Sequence, residues 1–190
     1  MNDALGEIDS ISTRTKFSYG LGALGKDFAC SIVYLFLMYY YTDVAGVPAA
    51  FVGTLFLVVR IIDAVSDPVM GMIVDNTRSR FGKFRPWIVL GTVINSLALL
   101  ALFSAHLFSG SQLLLFVTVT YIVWGLTYTI MDIPFWSMVP ALSARREERE
   151  RLVVWPRLFA SIAWTIVGTY GLASIAFLGK GDEGLSLIHI

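Results

Sequence analysis

The chain has 190 residues, 56% of them hydrophobic and 15% charged, with 14 acids balancing 14 bases, and its mean hydropathy is +0.72. So little polar surface cannot cover a globule in water, which excludes a soluble domain and leaves apolar side chains facing lipid. A formal net charge of +0 gives no reason to expect a nucleic-acid partner, and the single cysteine, Cys30, excludes an internal disulfide and any cysteine-rich metal centre. Cys30 lies in an apolar run and reads as an inert small side chain.

Residues 1–16 are polar and carry Asp3, Glu7 and Asp9. A cleavable signal peptide would instead have a basic start and a hydrophobic run, so this stretch is expected to be a cytoplasmic N-terminal segment. A membrane-spanning helix needs about 20 mostly apolar residues. Five runs qualify, at about 17–41, 50–74, 87–108, 113–139 and 157–178. The connectors 75–86 and 143–151 are heavily charged, whereas 42–49 and 109–112 are nearly free of Lys and Arg.

Arg14, Lys16, Arg78, Arg80, Lys83, Arg85, Arg145, Arg146, Arg149, Arg151 and Arg157 would all lie on one side; they are eleven of the fourteen bases. Lys180 alone falls opposite, and Lys26 and Arg60 sit within spans. The positive-inside rule then places the amino terminus in the cytoplasm of a cell (inner) membrane protein. The expected fold is all-α and polytopic, with a transmembrane bundle over 17–178. The tail 179–190 begins like an external loop and stops without another span, so the chain is expected to be truncated before a sixth helix.

The informative residues are the ionisable ones inside the spans: Lys26 and Asp27 in the first, Arg60, Asp63 and Asp67 in the second, Asp132 in the fourth. Each charge at a bilayer centre costs about 2.5–3.5 kcal/mol even on lenient scales, so they have to face an interior. Asp63 and Asp67 are four residues apart, with Arg60 on the same stripe, and share one helix face. Two carboxylates in a poorly hydrated cavity repel each other until a cation or proton joins them, which is what a coupling site requires. Oxygen ligands without nitrogen or sulfur favour Na⁺, Li⁺ or H⁺. The alternative is that these acids form permanent ion pairs with Arg60, Lys26 or Arg157.

In the fourth span Thr129, Asp132 and Trp136 form another stripe. A hydroxyl, a carboxylate and an indole suit a sugar, whose hydroxyls donate to the carboxylate while the ring covers its C–H face. Trp136 has the alternative role of an interfacial anchor. Pro68 and Pro134 each free a carbonyl within a span, and Gly20, Gly22 and Gly25 read as close helix contacts.

Five segments, 25–29, 38–43, 60–68, 77–87 and 128–136, together resemble the glycoside-pentoside-hexuronide:cation symporters, most closely their melibiose-carrying branch. The likeness runs from about residue 13 to 178 and implies a major facilitator fold, in which two six-helix bundles rock around a central site. It implies galactoside-binding positions at Asp27, Asp132, Trp136 and Arg157, with Lys26 and Tyr128 nearby. By the same resemblance Asp63, Asp67 and Thr129 match cation-site positions. Gly71 and Asp75 with Arg78, Arg80 and Lys83 resemble the loop motif that latches the inner gate.

Where the melibiose-carrying branch has Asn between the two cation-site aspartates, this chain has Ser66, a shorter and weaker oxygen ligand. The implied activity is cation-coupled symport of a galactoside or related glycoside by alternating access. The implied partners are the glycoside, the bilayer and a C-terminal bundle of the same parent protein, with no cofactor besides the coupling ion. Two other readings are a fragment that transports nothing alone and an intramembrane aspartyl hydrolase; the latter lacks a Gly-x-Gly-Asp sequence, and Asp63 and Asp67 lie on adjacent turns of one helix.

Overall fold

The computed structural model describes residues 11–179. They fold into five long helices: α1 (Thr13–Tyr39), α2 (Ala49–Asn76), α3 (Arg85–Leu102), α4 (Gly110–Leu142) and α5 (Arg146–Gly179). All five regions contain stretches long and apolar enough to cross a membrane, and the chain is part of a multi-pass membrane protein. The expectations for Asp3, Glu7 and Asp9 at the start and for Lys180 and the tail beyond it lie outside the described residues.

Helix ends follow local chemistry. The Ser12 hydroxyl caps α1 by accepting from the Thr15 N–H at 3.2 Å, satisfying one donor that the first turn leaves free. After α1 the backbone widens into a π turn over Tyr40–Val44, and Gly46, at φ +72°, takes a left-handed conformation that favours glycine. Pro86 sits in the first turn of α3, where its missing N–H costs no hydrogen bond.

Two helices depart from the apolar runs. α3 stops at Leu102, and a 3₁₀ turn at Ala105–Leu107 follows, short of the expected end at 108. The buried Tyr40 hydroxyl donates to the Phe103 carbonyl at 2.6 Å and accepts from the His106 N–H at 3.2 Å, so this stretch folds over the end of the bundle. α5 starts at Arg146, well before the expected 157, because the charged stretch forms its first turns. Glu147 and Glu148 stand at the positive end of its dipole, so hydropathy marks the apolar stretch of this helix and not its start.

Glu148 is buried and ties the starts of α1 and α5 together. It pairs with Lys16 at 3.1 Å and Arg151 at 3.5 Å, and accepts from the Ile11 N–H at 3.3 Å. α1 packs chiefly on α5, α3 on α4, and α2 on α4.

Glycine permits the tightest approaches. A Cβ on Gly171 would stand 2.5 Å from the Phe36 ring, one on Gly20 2.7 Å from the Phe159 ring, and one on Gly91 2.8 Å from the Met131 backbone nitrogen. Gly22 is in ordinary contact with Phe135 and Gly25 faces open space. Of the three glycines expected at close contacts, Gly20 is therefore the tight one.

The bundle's outer face is apolar: Ile61, Val65, Leu97 and Leu172 are 61–66% exposed. Inside lie two apolar clusters. One gathers Phe36, Tyr40, Val52, Leu102, Val117 and Tyr121, and the other gathers Tyr19, Ala23, Phe135, Val139 and Leu152. Along α1 and α4 the positions of Lys26, Asp27, Tyr128 and Asp132 fall between the two, so charge occupies the middle layer of the bundle.

Candidate functional site

Lys26 is the hub of that layer. Its Nζ lies 2.7 Å from Asp132 Oδ1 and 3.2 Å from Asp27 Oδ2, and donates to the Tyr128 hydroxyl at 3.3 Å. The rings of Tyr128, Phe135 and Trp136 surround it with centroids at 5.5, 5.4 and 5.7 Å, within the range of cation–π attraction. The Lys26 side chain is only 7% exposed. One ammonium thus serves two carboxyl groups.

On α2, Arg60 Nη1 meets Asp63 Oδ2 at 3.1 Å, and its guanidinium lies over the Tyr34 ring and donates to the Tyr34 hydroxyl. The other Asp63 oxygen, Oδ1, is buried without a hydrogen-bond partner among the described residues. Beside it is Gly125, where a Cβ would approach to 3.5 Å. Asp67 Oδ1 accepts from the Thr129 hydroxyl at 2.9 Å and meets no base among the described residues. The ion-pair alternative therefore describes Asp63 and not Asp67.

These side chains share one cavity of about 170 Å³, lined by Tyr34, Arg60, Asp63, Asp67, Tyr128, Thr129 and Asp132, with Trp124, Gly125 and Ile133. The stripes of α2 and α4, read separately in the sequence, meet there. Asp27 and Trp136 join it through Lys26. Ser66 does not line it: its hydroxyl donates to the Asp63 carbonyl at 3.3 Å, and the residue borders an apolar groove with Val65 and Val69. Arg157 is exposed and borders a separate groove with Arg149 and Glu150. Among the described residues no group of three or more His, Cys, Asp or Glu side chains forms a metal centre.

Lys83 Nζ, in the loop after α2, forms an ion pair at 2.8 Å with Oδ1 of Asp75 in the last turn of α2. Arg78 and Arg80 are exposed, Arg80 lies 4.6 Å over the Phe81 ring, and Gly71 faces open space. The Trp87 indole N–H donates to the Thr77 hydroxyl at 2.8 Å, closing the loop against the start of α3. Sequence reasoning missed Tyr34, Trp124 and Gly125. Tyr34 had a signal, since it lies seven residues after Asp27 on the same helix stripe; Gly125 had none.

Five apolar helices around a belt of charge define part of a polytopic membrane protein. The chain belongs to the glycoside-pentoside-hexuronide:cation symporters of the major facilitator superfamily, and the profile of the family described as MFS/sugar transport protein matches residues 18–184. It is 34% identical over 173 residues to the inner membrane symporter YicJ of Escherichia coli, covering 91% of this chain and 37% of that protein. It is 36% identical over 171 residues to the isoprimeverose transporter of Lactiplantibacillus pentosus, covering 88% of this chain and 35% of that protein. With the glucuronide carrier protein homolog of Escherichia coli the identity is 38% over 160 residues, covering 81% of this chain and 34% of that protein. The chain therefore spans little more than a third of the length of these relatives. The family consists of transporters and not enzymes, which sets aside the aspartyl hydrolase.

Proposed function

We propose that this chain forms the cation-binding wall and part of the sugar-binding wall of a glycoside:cation symporter that works by alternating access. The observation that carries the reading is the convergence of Asp63, Asp67, Thr129, Tyr128 and Asp132 on one cavity. A buried carboxylate oxygen without a donor, such as Asp63 Oδ1, is costly until a cation, a proton or water reaches it. The coupling ion is Na⁺, Li⁺ or H⁺, held by Asp63 and Asp67 with the Thr129 oxygen.

The ion relieves repulsion between the acids on α2 and, through the Asp67–Thr129 bond, draws α4 toward α2. That movement sets Asp132 and Trp136, with Asp27, Lys26 and Tyr128, against a galactoside or related neutral sugar. Linkage makes the cooperation mutual. A cavity of about 170 Å³ is smaller than the roughly 300–1,000 Å³ of ordinary ligand pockets. A second bundle of the parent protein therefore supplies the opposite wall, and the chain by itself transports nothing. The Asp75–Lys83 pair, with Gly71, Arg78 and Arg80, latches the inner gate at the cytoplasmic face of the inner membrane, on the side of the amino terminus. Ser66 has its hydroxyl on the α2 backbone and Arg157 stands apart, so each joins its implied site only if α2 or α5 moves during the cycle.

The test is sugar uptake by cells expressing the full-length transporter, with each cation in turn. Asp67→Asn is expected to abolish accumulation against a gradient while sugar binding persists, and Asp132→Ala to abolish sugar binding itself. Uphill accumulation by Asp67→Asn at the wild-type level would refute the cation-site assignment.

A further inference from the structure

Away from the central cavity, the starts of α1 and α3 frame a groove of about 490 Å³ whose mouth carries Arg14 and Arg85 and whose walls include Ser18, Ile88, Met138 and Leu142. Both arginines are exposed, and neither forms an ion pair or hydrogen bond with a described residue. Each stands in the first turn of its helix, where the helix dipole already disfavours a cation. No acidic residue occupies either first turn, in contrast to α5, which places Glu147 and Glu148 there. Two guanidiniums and two helix starts thus concentrate positive potential over an apolar floor.

We propose that this groove binds an anionic phospholipid, with the phosphate between Arg14 and Arg85 and an acyl chain along the floor. A free anion would use the guanidiniums but leave the apolar walls uncovered. A lipid matches both, since basic pockets between membrane helices suit anionic headgroups. The groove also shares Gly22, Ile88 and Phe135 with a second one, of about 340 Å³, that continues along α1 past the Lys26 side chain to Ala29. From Arg14 to Ala29 the rise is about 22 Å at 1.5 Å per residue, which exceeds the roughly 15 Å hydrocarbon depth of one leaflet.

The experiment is native mass spectrometry of the purified full-length transporter, titrated with phosphatidylglycerol and, separately, with phosphatidylcholine. Phosphatidylglycerol is expected to bind in preference. Arg14→Gln with Arg85→Gln should weaken it about thirtyfold, at roughly fivefold per basic residue, with phosphatidylcholine unchanged. Arg14→Lys with Arg85→Lys keeps the charge and should keep the preference, which separates lost binding from lost folding. Leu142→Trp, which narrows the groove from its apolar wall, should weaken both lipids. Equal affinity for the two lipids, retention of phosphatidylglycerol by the double Gln variant, no effect of Leu142→Trp, or displacement of the lipid by millimolar inorganic phosphate would overturn the proposal. So would a crosslink showing that another protein segment fills the groove.

Discussion

Lys26 holds Asp27 and Asp132 at once, and with a side chain 7% exposed it has little access to water as a substitute partner. Removing one member of a buried ion group leaves the rest uncompensated, at a cost of roughly 3–5 kcal/mol. Lys26→Met is therefore expected to lower the thermal unfolding midpoint of the purified transporter, and adding Asp132→Asn should recover part of the loss. Equal stability of Lys26→Met and wild type would show that water, not Lys26, neutralises these acids.

Much of this was legible at the residue scale, because ionisable groups inside apolar runs have few places to go. Asp63, Asp67 and Asp132 stand out as ionisable groups within spans, and spacing adds Thr129 to the stripe of Asp132; all four share the cavity. Lys26 as the centre of the group was not legible, since a contact between α1 and α4 has no spacing to read. The same holds for the turn of Ser66 onto its own helix and the displacement of Arg157 to another groove.

Among the helices, the tight approach that meets backbone and not a ring depends on a residue that offered no signal. Gly91 packs on the backbone of Met131, so a methyl group there collides with main chain that cannot rotate away. Gly91→Ala is expected to destabilise α3 against α4 by about 1–3 kcal/mol. Gly25→Ala meets nothing within 4 Å and should leave stability unchanged or raise it by up to about 1 kcal/mol through helix propensity. Thermal unfolding of both variants, side by side, checks the contrast. The existence and order of the helices followed from hydropathy, but their ends did not: the Tyr40 hydroxyl network ends α3 early, and Glu148 with its partners anchors an α5 that starts early.

For the whole molecule, the decisive arrangement is a charged layer between two apolar clusters. It keeps water-seeking groups away from lipid and gathers them around one cavity. The apolar stripe of α2 faces outward at Ile61 and Val65 while Asp63 and Asp67 face inward, so one helix separates the two environments. That division can be measured directly in the full-length transporter on a Cys30→Ala background. Single replacements Asp63→Cys, Asp67→Cys and Asp132→Cys should react with a membrane-impermeant thiol reagent and be protected by sugar or coupling cation, whereas Val65→Cys should not react. Labelling of Val65→Cys with the three cavity positions silent would contradict the account.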